Sequence, residues 1–215
     1  MASIINSFIN TLSLTASSFF SPSEDNLMKE MPYFLAPEWK TYLKQDVDVI
    51  DISEKLRLKL ESPCPFWEGK RVKETHLLCQ NVRNLNIEKL FEAAGCGSKF
   101  LFLISHAISS PIDSYLFLIT KKPIPNTRYV GIKEQKKIAE QYGYEIPTVL
   151  EAGIGILAVN FLTGIAIFPS PGYFTRTQEE LNDWPMAIGS DAFDPFCIST
   201  NDWCQSNGVA GVFHL

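Results

Sequence analysis

Two near-identical apolar runs set the frame for this chain: Phe100-Leu-Phe-Leu-Ile104 and Tyr115-Leu-Phe-Leu-Ile119. Neither alternates polar with apolar. Successive strand side chains leave opposite faces, so a strand that is apolar throughout needs cover on both sides. Such strands belong in the middle of a sheet with helices packed over them. The intervening loop, residues 107–113 with Pro111, is short enough for an antiparallel hairpin, so the runs read as neighbouring central strands.

The flanking sequence supplies the helices. Pro37 sits in the first turn of a short helix through about Gln45, and Ile52 to Leu60 gives a second. Lys73 to Val82 reads as a strand. Asn86 caps a short helix that Gly95 closes. Ile132, Ile138, Ala139 and Tyr142 mark one face of a helix that Gly143 ends. Thr148-x-x-Glu151 has the form of a capping box, ahead of a helix to about Leu162 that is apolar all round and therefore buried. Ile165–Phe168 reads as a short strand. Thr177-x-x-Glu180 repeats the capping-box form and predicts a short helix ending near Asp183, and Asn207-Gly208 reads as a hairpin turn. The whole is α+β: a mixed, largely antiparallel central sheet with helices packed against it.

The first charged residue is Glu24, so an uncharged leader precedes a body of ordinary charge density. Leader and linker are read as residues 1–35, and a single domain as 36–215. The leader lacks the basic start of a secretory signal, and Asn6, Ser7, Asn10, Thr11, Ser13 and Thr15 interrupt its apolar residues. No membrane span is expected. Three readings are open: a frayed or weakly docked amphipathic helix, an export signal of the kind bacterial effectors carry, and an uncleaved membrane-surface helix, disfavoured because it lacks a Lys/Arg face. The location follows as cytoplasmic, or exported into a host cell.

Net charge is −5, which argues against general nucleic-acid binding. Residues 138–215 carry nine acids against one base, Arg176, while Lys121, Lys122, Arg128, Lys133, Lys136 and Lys137 crowd one stretch. The 121–128 loop, which follows a central strand, is a candidate seat for a phosphate or an acidic partner. Five cysteines, no CxxC and no Asn-x-Ser/Thr sequon favour free thiols in a reducing compartment. The three histidines have no metal-ligand spacing, so no metal is expected. Gly153-x-Gly155-x-x-Ala158 fits a dinucleotide pattern but falls inside the apolar helix, so no cofactor is assigned.

Candidate chemistry is sparse. His76 and Cys79 lie on one strand and point to opposite faces, so they form no dyad with each other. His76, His106 and Cys197 are the weak catalytic candidates, each needing a remote partner. Trp67, Lys121, Arg128, Tyr173 and Arg176 are the candidate binding residues, since aromatic and cationic side chains anchor interfaces. Three readings follow: a protein-interaction domain, a small hydrolase or transferase with a Cys/His centre, and a C-type-lectin-like binding surface in the Trp203–Leu215 tail. A histidine within hydrogen-bond reach of a thiol or carboxylate beside a concave pocket favours the enzyme.

Several stretches resemble a known family: Ser62-Pro-Cys-Pro-Phe-Trp67-Glu-Gly69 through Thr75-His76-Leu-Leu, Tyr115-Leu-Phe-Leu-Ile-Thr120, Tyr144-Glu-Ile-Pro147, Leu150-Glu-Ala152, Tyr173-x-Thr-Arg-Thr-Gln-Glu179, and Gly208-Val-Ala-Gly-Val212. They resemble an uncharacterised family abundant in chlamydia-like obligate intracellular bacteria. That family's form ends in a basic pair before a final Phe, whereas this chain ends Phe213-His214-Leu215. The resemblance implies a bacterium that acts on its host, and an exported effector. It implies a role for no particular residue.

Overall fold

Tyr115–Thr120 is the strand on which everything else is built. The computed structural model describes residues 33–44, 46–95, 104–163, 174–189, 197–199 and 207–215. In chain order the elements are β1 (Tyr33–Phe34), α1 (Ala36–Leu43), α2 (Glu54–Glu61), α3 (Val72–Thr75), β2 (His76–Asn81), α4 (Ile87–Ala93), β3 (Tyr115–Thr120), α5 (Ile132–Glu140), α6 (Val149–Thr163), β4 (Phe174–Leu181), β5 (Trp184–Gly189), β6 (Cys197–Ser199) and β7 (Val212–His214).

Two sheets form, in the orders β1-β2-β3-β7 and β4-β5-β6. All their pairings are antiparallel except β1 with β2. The α+β reading therefore holds, with a mixed, mostly antiparallel set of strands.

The continuous apolar pattern of β3 has its cause on both faces. Phe117 and Ile119, with Leu77, Cys79 and Val212 of the flanking strands, pack in one core with α6 residues Val149 to Val159. Leu116 and Leu118, with Leu78, face the other way against Leu56 and Leu60 of α2 and Val72 of α3. Helix α6 touches β2, β3, β4 and β5, and its side chains from Val149 to Val159 are all buried, as their composition requires. Gly155 makes this possible: a Cβ there would lie 3.3 Å from Ile119 Cγ2 and Cδ1. The glycines of the G-x-G-x-x-A stretch thus lie within a helix, not in a phosphate-binding turn.

Leu77–Cys79 and Val212–His214 occupy the two edges of Phe117–Ile119. Residues 100–103 of the Phe100–Ile104 run, and the 165–168 strand reading, lie outside the described residues.

Local signals behave according to their context. Asn86 caps α4 by accepting from Lys89 N at 2.9 Å, and Gly143 follows α5 at φ 73°. Thr148 and Glu151 cap reciprocally: Glu151 N donates to Thr148 Oγ1 at 3.2 Å, and Thr148 N to Glu151 Oε2 at 2.8 Å. Thr177-x-x-Glu180, with the same letters, is not helical. It lies in β4, which turns back through Asn182 and Asp183 (φ 52° and 66°) to pair with β5. Two adjacent positive-φ residues make a hairpin turn whose twist suits antiparallel strands, and pairing outweighs a weak capping signal. Asn207-Gly208 is not a hairpin turn. Gly208 bridges Thr175 in parallel, and the Val209 carbonyl accepts from Ile124 N at 2.8 Å.

Candidate functional site

Three adjacent strands and one helix converge on a single carboxylate. Asn81 of β2 pairs in register with Tyr115 of β3, and His214 of β7 pairs with Phe117, two residues along. The strand period of two puts Asn81, Tyr115 and His214 on the same face as Phe117, the face covered by α6. The capping box fixes Glu151 in the first turn of that helix, above them.

Glu151 is fully buried and accepts four hydrogen bonds. Oε2 takes Thr148 N at 2.8 Å and Thr148 Oγ1 at 2.9 Å. Oε1 takes Tyr115 O–H at 2.9 Å and His214 Nε2 at 2.6 Å. Asn81 Nδ2 donates to the Tyr115 oxygen at 2.9 Å, closing a directed chain. Burial alone would raise the Glu151 pKa. The His214 bond, the Thr148 amide, the His214 charge and the Tyr115 bond together outweigh it and hold the carboxyl below its ordinary value. An ionised carboxylate only accepts, so Nε2 carries the proton.

His214 is the most open member, with 37% of its side chain exposed. Its outer nitrogen, Nδ1, faces Glu145 Oε1 at 3.7 Å. The Glu151 bond raises its pKa, burial opposes, and the charges of Glu151 and Glu145 reinforce the rise. Burial and the Glu151 charge also push the Tyr115 phenol far up, so it stays protonated. Glu145 in turn lines a groove of about 680 Å³ between α5 and the β4–β5 hairpin, together with Lys133, Lys136, Tyr144, Gln178 and Pro185.

On the opposite face of the same sheet lies His76, fully buried. Its Nδ1 is 3.1 Å from Val72 O and 2.8 Å from Thr75 Oγ1, and that hydroxyl is 3.2 Å from Cys64 Sγ. This resembles a thiol–hydroxyl–imidazole relay, but the electrostatics defeat it. Burial takes the His76 pKa down to about 3; the Val72 carbonyl opposes, and the charges of Lys59 and Lys121 add to the fall. A base must hold a proton near the working pH, and this imidazole does not.

The remaining candidates scatter. His106 is exposed on a 3-10 turn at Ser105–Ala107. Cys197 opens β6, paired with Gly189. Cys79 is fully buried, and burial pushes its thiol far up, so it is an inert core residue. Lys121 and Arg176 are buried, not surface cations. Lys121 Nζ donates to Glu74 O at 3.0 Å, and burial lowers its pKa to about 8. Arg176 Nη1 donates to Gln135 Oε1 at 3.3 Å, and Gln135 serves the carbonyls of Thr127 and Asn207. Both cations answer interior oxygens. Arg128 is half-buried, and Trp67 meets Phe66 edge-on at 5.6 Å. Tyr173 and the Trp203-Cys204 pair lie outside the described residues, and Val212–His214 belongs to the central sheet.

Sequence reasoning missed His214, Glu151, Tyr115 and Asn81 as a group. The capping box located Glu151 but gave it only a structural role. Among the described residues no group of three His, Cys, Asp or Glu side chains is placed to hold a metal, and no helix is long and apolar enough to cross a membrane. No family model, curated protein or solved structure matches this chain.

Proposed function

We propose that His214 and Glu151 form the proton-transfer centre of a small enzyme, acting on a substrate seated in the groove beside Glu145. One observation carries this reading. A half-exposed histidine is held at 2.6 Å by a fully buried carboxylate whose four acceptor bonds fix its orientation. An imidazole with one nitrogen locked on a buried carboxylate and the other turned toward the exposed Glu145 and the groove it lines is an arrangement that acid–base catalysis can use. The carboxylate holds the tautomer and stabilises the imidazolium, and Nδ1 gives or takes the proton.

The raised His214 pKa extends the charged form to higher pH than an ordinary imidazole keeps it, so the group serves as general acid below its midpoint and as general base above it. Among the described residues His214 bonds no serine, threonine or cysteine. The reading is therefore hydrolysis by activated water, or direct proton transfer, with no covalent intermediate on a side chain. The test is a panel of chromogenic esters, phosphoesters, amides and glycosides, offered to the full chain and to His214→Gln. Turnover that His214→Gln abolishes without unfolding the protein supports the reading. Turnover equal in both proteins, or absent from both, overturns it.

A second reading, a protein-recognition domain, rests on a different feature. Phe66 meets Trp67 at 5.6 Å and Tyr142 at 5.1 Å, and Tyr142 is 48% exposed. Clustered aromatics at a surface are favoured interface anchors. Such a surface would tolerate His214→Gln, which separates the two readings.

A further inference from the structure

We propose that Tyr115, backed by Asn81, is a positioning residue that sets the proton affinity of His214 by competing with it for one oxygen of Glu151. The consequence for catalysis rests on the acid–base reading; the competition itself does not.

The direction of each bond is fixed by chemistry. Asn81 Nδ2 can only donate, and it donates to the Tyr115 oxygen at 2.9 Å. That occupies a lone pair of the phenol and aims its one O–H at Glu151 Oε1, 2.9 Å away. The same Oε1 receives His214 Nε2 at 2.6 Å. Relief through the second oxygen is blocked, because Thr148 N and Oγ1 already hold Oε2. Tyr115 and His214 therefore share one concentration of negative charge. Every part of it that the phenol stabilises is withdrawn from the imidazolium.

Tyr115 does not itself move a proton. Burial and the Glu151 charge keep its phenol protonated, so its influence passes through the carboxylate. Packing alone gives a different picture: the Tyr115 and His214 rings meet edge-on at 5.7 Å, a contact that phenylalanine preserves. The charged groups facing this cluster come from three elements. Glu151 comes from α6, and Glu145, 3.7 Å from His214 Nδ1, comes from the loop before it. Glu179 comes from β4, where its carboxylate holds Val149 N at 2.9 Å and its charge bears on Tyr115. Of these, only Glu151 bonds the Tyr115 hydroxyl, so deleting the hydroxyl acts on His214 through that carboxylate.

The experiment follows the His214 Cε1–H resonance against pH in the full-length wild type, Tyr115→Phe and Asn81→Leu, without substrate. Loss of the hydroxyl leaves Oε1 to His214 alone, so the titration midpoint moves upward in Tyr115→Phe. It moves in the same direction but less far in Asn81→Leu, where the phenol survives but is no longer aimed. A Tyr115→Phe midpoint that is unchanged or lower overturns the proposal, even if the protein melts earlier. If Tyr115→Phe does not fold, Asn81→Leu alone decides by the same criterion. Failure of the acid–base reading shows instead as missing turnover on the substrate panel, and leaves these midpoints as they are. Where turnover exists, the alkaline limb of its pH profile moves with the midpoint.

Discussion

Replacing Glu151 with glutamine changes one atom and the charge, and its cost follows from the four bonds. An amide oxygen can take over the two Thr148 donors that Oε2 holds at 2.8 and 2.9 Å. The amide nitrogen then faces Tyr115 and His214. Both lose a charge-assisted bond, of about 1.5–3 kcal/mol, and recover at most a neutral one, of about 0.5–1.5 kcal/mol. That is roughly 1 kcal/mol each, and the exposure of His214 discounts its share. The expected loss is therefore about 1.5–2 kcal/mol, a large part of a typical stability of about 5–15 kcal/mol, in a protein that still folds. Urea unfolding reads it as a lower midpoint with an unchanged slope.

The pH dependence of this loss gives a sharper check. His214 has a raised folded pKa, so its contribution is complete below the ordinary imidazole value of 6.5 and is lost as pH climbs through the raised value. Glu151 has a lowered folded pKa, so its contribution is complete above the ordinary carboxyl value of 4.5 and is lost as pH falls through the lowered one. The gap between wild type and Glu151→Gln is thus widest between 4.5 and 6.5 and narrows on either side. A gap under about 0.5 kcal/mol in that window, the scale of an ordinary surface substitution, refutes the claim that the charge of Glu151 organises the site.

Other consequences are simpler. His76, with its pKa near 3, shows no NMR titration through the neutral range; a midpoint near the ordinary histidine value contradicts the burial argument. Gly208→Ala places a Cβ 2.6 Å from Pro123 Cβ and should cost about 1–3 kcal/mol in denaturant unfolding, as overpacking does. Asn86→Ala removes the cap on Lys89 N and should cost about 1 kcal/mol, largely restored by Asn86→Ser. Cys79 resists a soluble disulfide reagent in the native protein and reacts once the chain unfolds, because it is fully buried.

The sequence showed the layers better than the site. Tyr115–Thr120 declared its double cover because every side chain is apolar or tucked in, and α6 declared its burial because no face is polar. The neighbours of β3 were not legible. Pairing depends on which edges meet, and nothing in the sequence announced that the distant strand Val212–His214 would pair with β3. Thr148-x-x-Glu151 and Thr177-x-x-Glu180 look alike as letters. Only the first precedes a run apolar on all sides; the second is followed by a tight turn and a pairing strand. The site lay further from view, because His214 and Glu151 are 63 residues apart and meet only through sheet register. His76 stood next to plausible partners in sequence, yet burial and two lysines disarm it, which no spacing reveals.

The place of β7 has a kinetic consequence. A contact that closes a loop of 63 residues forms slowly and is rewarded only after the intervening chain has ordered. The imidazole reaches its carboxylate when β7 docks and not before. Any partly folded form in which β7 has not docked therefore lacks the dyad, and the change in His214 titration would be a direct clock for the arrival of that strand.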